Sequence, residues 1–173
     1  ASHHVDMLEW MMGDVESVFA KMTTALADVE TEDTAIVTLK LKNGALGIIE
    51  ATTATRPTNL EGSISILGEH GTVVVGGVAV NEMQTWVFED EQEGDSSVLE
   101  EFSVNPPNVY GFGHQAYYEH AVDCIKNGSA NLVDGLQGRK SIELINAIYE
   151  SAETGKEVFL KFQPKHSRLG RKS

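Results

Sequence analysis

Cysteine is nearly missing: Cys124 is the single one in 173 residues. One thiol closes no disulfide within the chain and cannot build a four-cysteine zinc site. So little cysteine reads as a reducing setting, and the expectation is a cytoplasmic protein. Positive charge is short as well. Thirteen Lys and Arg stand against 26 Asp and Glu, a formal net charge of −13. Such a chain cannot rely on neutralising phosphates, so nucleic acid is not an expected partner. No apolar run approaches the roughly 18 residues of a spanning helix, so no membrane partner is expected either. The first residues also lack the basic-then-apolar layout of a signal peptide.

What is present is an ordinary globular chain, 41% apolar and 23% charged, of a length that fits one domain. Residues 3–12 carry apolar side chains nearly all round a helical wheel and stop at Gly13, which predicts a buried helix. A block of strands follows. "VESVFAKMTTAL" alternates and is rich in β-branched residues. "TAIVTLKL" puts Ala35, Val37, Leu39 and Leu41 on one face and Thr34, Ile36, Thr38 and Lys40 on the other. Asn43-Gly44 is a strong hairpin signal, with "ALGIIEATTAT" as the partner strand. "GSISILG" and "TVVVGG" flank a second turn, and "VAVNEMQTWVF" and "SVLEEFSV" flank an acidic one.

Two helices are then predicted. "HQAYYEHAVDCIKNG" has Tyr118, Ala121, Val122 and Ile125 as its expected buried stripe. "LQGRKSIELINAIYESAETG" has Ile142, Ile145, Ile148, Tyr149 and Ala152, and "KEVFLKF" is a closing strand. Grouped strands and segregated helices point to α+β: one mixed, mainly antiparallel sheet with helices packed on one face. The other face mixes Thr34, Thr38, Thr52 and Thr53 with Ile36, Leu46 and Ile48, a composition suited to pairing with a second copy.

Several motifs bear on chemistry. "GFGHQA" at 111–116 matches a dinucleotide-binding glycine pattern, but "NPPNVY" precedes it and another helix follows. The strand–turn–helix context is absent, so the glycines read as a sharp loop-to-helix entry. The acidic run Glu89, Asp90, Glu91, Glu93 and Asp95 lacks calcium-loop spacing and reads as a solvated turn. His3 and Asp6 are three apart and share a helix face. They fit a proton-transfer histidine with an orienting aspartate, a metal pair short of a third ligand, or ordinary helix-start residues. A helix N-terminus favours the neutral imidazole. His4 points about 100° away. His114, Tyr117 and Tyr118 form a second polar–aromatic cluster, the kind that lines pockets or packs in a core. Lys21, Lys40, Arg56 and Arg139 are candidate partners for an anion.

"HHVDMLEWMMGDVESVFA" resembles the H-x-x-D-x-L-x-W segment of the Gfo/Idh/MocA family of NAD(P)-dependent sugar and inositol oxidoreductases. The likeness runs on through "VETEDTAIVTLKLKNGALGII", "ISILGEHGTVVV", "GHQAYYEHAVDCIKNG" and "DGLQGRKSIELINAIYESAETGKEVFL". Residues 1–162 resemble the family's C-terminal, substrate-binding domain, leaving residues 163–173 as a basic, loose tail. The double histidine, with "SRLG" in that tail, is similar to the UDP-N-acetylhexosamine 3-dehydrogenases within the family.

The resemblance implies that His3 and Asp6 are the catalytic candidates. His4, His114 and Tyr118 are taken as the substrate-binding ones. It implies a sugar substrate, a homo-oligomer through the open sheet face, and NAD or NADP held by an N-terminal Rossmann domain. That domain and the family's Lys-Pro loop are not in this sequence. This chain by itself is therefore expected to hold no cofactor or metal and to be inactive. The other reading is a stand-alone sugar-binding or scaffold domain without redox activity.

Overall fold

The computed structural model describes residues 1–60, 62–77, 80–104, 106, 111 and 113–161. They fall into two units, one from residues 1–54 and 133–161 and the other from 55–132.

The first unit begins with α1 (Ser2–Met12), then β1 (Val15–Thr23), β2 (Thr34–Leu41) and β3 (Leu46–Thr52). It ends with α4 (Gly135–Thr154) and β7 (Val158–Phe159). The sheet order is β3-β2-β1-β7, antiparallel throughout. The alternation expected of β2 holds: Ala35, Val37, Leu39 and Leu41 are buried while Ile36, Thr38 and Lys40 are exposed. The Asn43-Gly44 turn also holds. Leu41 and Ala45 close the loop Lys42–Gly44, with Gly44 at φ 93° in the left-handed region that glycine enters without strain.

α4 packs on β1, and α1 packs on α4. Leu144, Ala147 and Ile148 meet Val15, Val18, Ala20, Val37, Leu39 and Leu41, and Val5 of α1 joins them. Asp134 caps α4, its carboxylate accepting the N–H groups of Leu136 and Gln137 at 2.9 Å each. Ser151, fully buried, accepts the Ala20 N–H at 3.0 Å and donates to the Lys156 carbonyl at 2.6 Å, stitching helix to sheet. At the β1–β2 connection Asp33 Oδ2 accepts three consecutive backbone N–H groups, from Ala25 (2.8 Å), Leu26 (2.6 Å) and Ala27 (3.0 Å). Those bonds, Leu26's foremost, hold its carboxyl down at about 2.

The second unit holds β4 (Ile64–Leu67), β5 (Gly71–Gly76), β6 (Glu82–Phe88), α2 (Asp95–Glu101) and α3 (Gly113–Asn127). Its sheet has the order β4-β5-β6, again antiparallel, and α2 packs on β6. Gly71 is required by close approach: a Cβ there would fall 2.3 Å from a Phe88 ring carbon.

The α+β class and the antiparallel strands are as expected, with five particulars corrected. The strands form two sheets among the described residues, not one. The segment after β3 carries Pro57, which has no N–H to donate, and β3 and β4 each end a sheet order without pairing. "SVLEEFSV" is not a strand; its first half lies in α2. Asp95 accepts the Gln92 N–H at 2.6 Å and the Trp86 indole N–H at 2.8 Å, and Gly94 turns the chain at φ 100° into the helix. Only residues 102–104 run beside the start of β6, through Met83 N–H to Phe102 carbonyl and Asn81 Nδ2 to Val104 carbonyl.

α1 is not buried all round. Val5 and Glu9 face the core, and Trp10 is 82% exposed. Of the stripe expected on α3, Tyr118, Val122 and Ile125 are exposed and Ala121 is half-buried, and Cys124 is the residue that α3 buries. α4 turns a slightly different face inward, Leu144, Ala147, Ile148 and Ser151, with Ile142 outward. The expected tail, 163–173, lies outside the described residues.

Candidate active site

α1 carries His3 and His4 in its first described turn. His3 and Asp6 are exposed and lie on one face of the helix. His4 is half-buried, and its Nε2 is enclosed without a hydrogen-bond partner. Burial, chiefly, pushes the His4 imidazole below its usual range.

His114 and Tyr118 stand four apart on α3, in the second unit, and Tyr118 is exposed. Tyr117 and Tyr118 meet edge to face with ring centroids 5.9 Å apart. The structure thus groups His3, His4 and Asp6 on one helix, and His114 with Tyr118 on another. The anion candidates have partners within the chain. Lys40 pairs with Glu16 at 2.9 Å, and the Lys21 ammonium lies 5.3 Å from the centre of the Phe19 ring. Arg56 donates to the Thr55 carbonyl at 2.8 Å. Gly111, at φ 68°, leads toward α3, which starts at Gly113. The next helix is α4, so among the described residues no strand follows α3 to make a βαβ unit. Among the described residues no three His, Cys, Asp or Glu are grouped to hold a metal, and no helix is long and apolar enough to cross a membrane.

One cluster escaped the sequence reading. Asp14, in the turn after α1, accepts Lys140 of α4 at 2.9 Å and Lys42 of the β2–β3 loop at 3.0 Å. These bonds lower the Asp14 carboxyl, Lys140's contribution being the larger, and raise the Lys140 ammonium. Glu9 and Glu143 line the same small cavity. Five charged residues from separate stretches meet here, and no local spacing announces it.

Residues 1–160 match the profile of the GFO_IDH_MocA oxidoreductase family, C-terminal alpha/beta domain. The chain belongs to this family. Its fold is similar to that of the WlbA dehydrogenase from Bordetella pertussis, solved in complex with NADH and UDP-GlcNAcA. The TM-score is 0.85 and the identity 43%, over 94% of this chain and 46% of that one. The curated relatives include D-apiose dehydrogenase of Rhizobium rhizogenes, 25% identical over 90% of this chain and 46% of its own length. Myo-inositol 2-dehydrogenase of Thermotoga maritima is 29% identical over 92% of this chain and 47% of its own length. The chain therefore spans about half the length of the curated relatives it matches. This GFO_IDH_MocA domain carries the two histidines on its first helix and presents the outer face of its four-stranded sheet to solvent.

Proposed function

We propose that the chain is the substrate-binding and oligomerisation portion of an NAD(P)-dependent oxidoreductase acting on a sugar, and specifically on a UDP-sugar. The observation that carries this is the 43% identity across 94% of the chain to a dehydrogenase solved with NADH and UDP-GlcNAcA. Oxidising a sugar hydroxyl removes a hydride and a proton. Hydride acceptance is the work of a nicotinamide held by a dinucleotide-binding half. This chain's share is the proton and the sugar. In this reading His3 takes the hydroxyl proton, and Asp6, on the same helix face, orients it. His4 offers a hydrogen bond to the substrate, and His114 and Tyr118 of α3 are a separate pair of candidates for sugar contact.

Association belongs to the outer face of the four-stranded sheet. Ile36, Leu46 and Ile48 are exposed there among threonines, and a second copy packed back to back would cover them. Sedimentation of the protein should show a dimer or larger species that Ile48→Lys dissociates.

The catalytic part is tested in an enzyme joining this chain to a dinucleotide-binding half, following NADH formation with UDP-GlcNAcA and with myo-inositol. Turnover is expected with the nucleotide sugar. His3→Ala should lower kcat by roughly 10²–10⁴, the usual worth of a positioned acid–base group, with the circular dichroism of the fold kept. Unchanged turnover per folded molecule removes His3 from the chemistry. Sugar binding without turnover favours a binding domain instead.

A further inference from the structure

α1 turns Glu9 inward, one helical turn beyond Val5. The side chain is 8% exposed, and its Oε2 is enclosed with no hydrogen-bond partner. Across from it, α4 presents Lys140 and Glu143, three residues apart on one face. Glu143 Oε2 is likewise enclosed and unpartnered. Both carboxylates line one cavity, with Asp14, Lys42, Lys140, Val15 and Leu160 completing its wall. Its volume is about 20 Å³, enough for a single water and too small for a sugar.

The charges in this wall do not cancel. Three carboxylates, Glu9, Asp14 and Glu143, face two ammonium groups, Lys42 and Lys140. Both ammonium groups bond to Asp14, one on each oxygen. Two enclosed carboxylate oxygens are thus left without a donor, and the wall carries one excess negative charge. An enclosed carboxylate without a donor is disfavoured as the charged form, and taking up a proton relieves it. A protonated carboxyl also gains an O–H, the donor that the second carboxylate lacks.

We propose that Glu9 holds its proton to a higher pH than an ordinary carboxyl and then hydrogen-bonds across this cavity, which has room for one bridging water, to Glu143, and that this link fastens α1 to α4. The groups facing Glu9 are Asp6 on its own helix, Asp14 in the following turn, Lys42 in the β2–β3 loop, and Lys140 and Glu143 on α4. Burial chiefly, and then Asp14, Asp6 and Glu143, raise the Glu9 carboxyl against the opposing pull of Lys140. The link stands independently of the sugar-dehydrogenase reading, since its test is made on folding.

A carboxyl raised in the folded state keeps a proton that the unfolded chain gives up above about pH 4.3. Stability is then greatest below that pH. It falls as pH rises, until Glu9 ionises in the folded protein. Urea unfolding of the whole chain should be followed at several pH values between about 5 and 9, for the native protein and for Glu9→Gln. The native folding constant should drop by up to about tenfold per pH unit where one proton is released. Glu9→Gln, an amide that always donates, should show a flatter profile and surpass the native protein at the alkaline end. The native infrared spectrum in mildly acidic solution should contain a protonated-carboxyl carbonyl band that weakens in Glu9→Gln.

Should Glu9→Gln fail to fold, Glu143→Gln takes its place. An amide donor at 143 lets Glu9 ionise at lower pH, which flattens the profile and weakens the infrared band. Profiles parallel to the native one, or an infrared band absent from the native protein, overturn the proposal. So does a gain in alkaline stability with sodium chloride but not choline chloride, which would put a cation where the proton is placed.

Discussion

α3 and α4 are both amphipathic helices that close on a glycine in the left-handed region, Gly128 after α3 and Gly155 after α4. α4 buries Leu144, Ala147, Ile148 and Ser151 against its sheet, whereas α3 buries Cys124. The difference is in what meets the apolar stripe. β1 offers Val15, Val18 and Ala20 to α4, and the small residues Ala147 and Ser151 let the backbones come close. On α3, Tyr118, Val122 and Ile125 face solvent. His120 turns inward along its own segment, its Nε2 accepting the Leu132 N–H at 3.1 Å and lying 3.5 Å from Cys124 Sγ. An apolar stripe therefore states a capacity to bury. Whether burial follows depends on a second surface that the helix sequence does not encode.

Substitutions on the two helices should separate the cases. Leu144 is 0% exposed and Ile125 is 83% exposed. Leu144→Ala should cost about 2–5 kcal/mol, the lost transfer energy plus the cavity left behind. Ile125→Ala should stay within about 0.5 kcal/mol, as surface changes do. Urea midpoints of the two variants measure both, and a large loss at Ile125 would mean that α3 packs in solution.

The next effect belongs to Ser151. Ser151→Ala strands the Ala20 N–H and the Lys156 carbonyl, each deprived of its Oγ partner. A loss of about 1–3 kcal/mol is expected. Ser151→Cys, keeping the size with a weaker donor and acceptor, should fall between the two, which distinguishes hydrogen bonding from packing. The smallest of the three losses is at the start of α4. Asp134→Ala removes the cap on α4 and should cost about 0.5–2 kcal/mol, while Asp134→Asn, which still accepts both N–H groups, should recover most of it.

Where the physics is local, the sequence was readable. The period of two in β2 and the Asn43-Gly44 loop placed a hairpin correctly because strand faces and turn dihedrals are set by neighbouring residues. The break between sheets was harder. Strand runs on either side of Pro57 look alike, and only pairing in space separates them. α2 was misread because Val98, Leu99 and Phe102 have apolar runs that suit a strand, while the deciding bonds to Asp95 come from Trp86 and Gln92. At the site, the helix bearing His3, His4 and Asp6 was legible from its spacing. The enclosure of His4 was not, nor was the meeting of Glu9, Asp14, Lys42, Lys140 and Glu143, which is long-range by construction.

Asp33 has a consequence for how the first unit opens. The residues between β1 and β2 form a surface loop with an acidic tip, the kind of segment whose amides ordinarily trade hydrogen with water quickly. Here the amides of Ala25, Leu26 and Ala27 converge on one carboxylate oxygen, which stays ionised down to about pH 2. Their exchange then requires the loop to come off Asp33 as a unit, so these three amides should trade hydrogen together while the tip at Asp28–Glu30 exchanges freely. A connection held at its base and loose at its tip tolerates added residues at the tip, since an insertion there leaves β1, β2 and their register undisturbed.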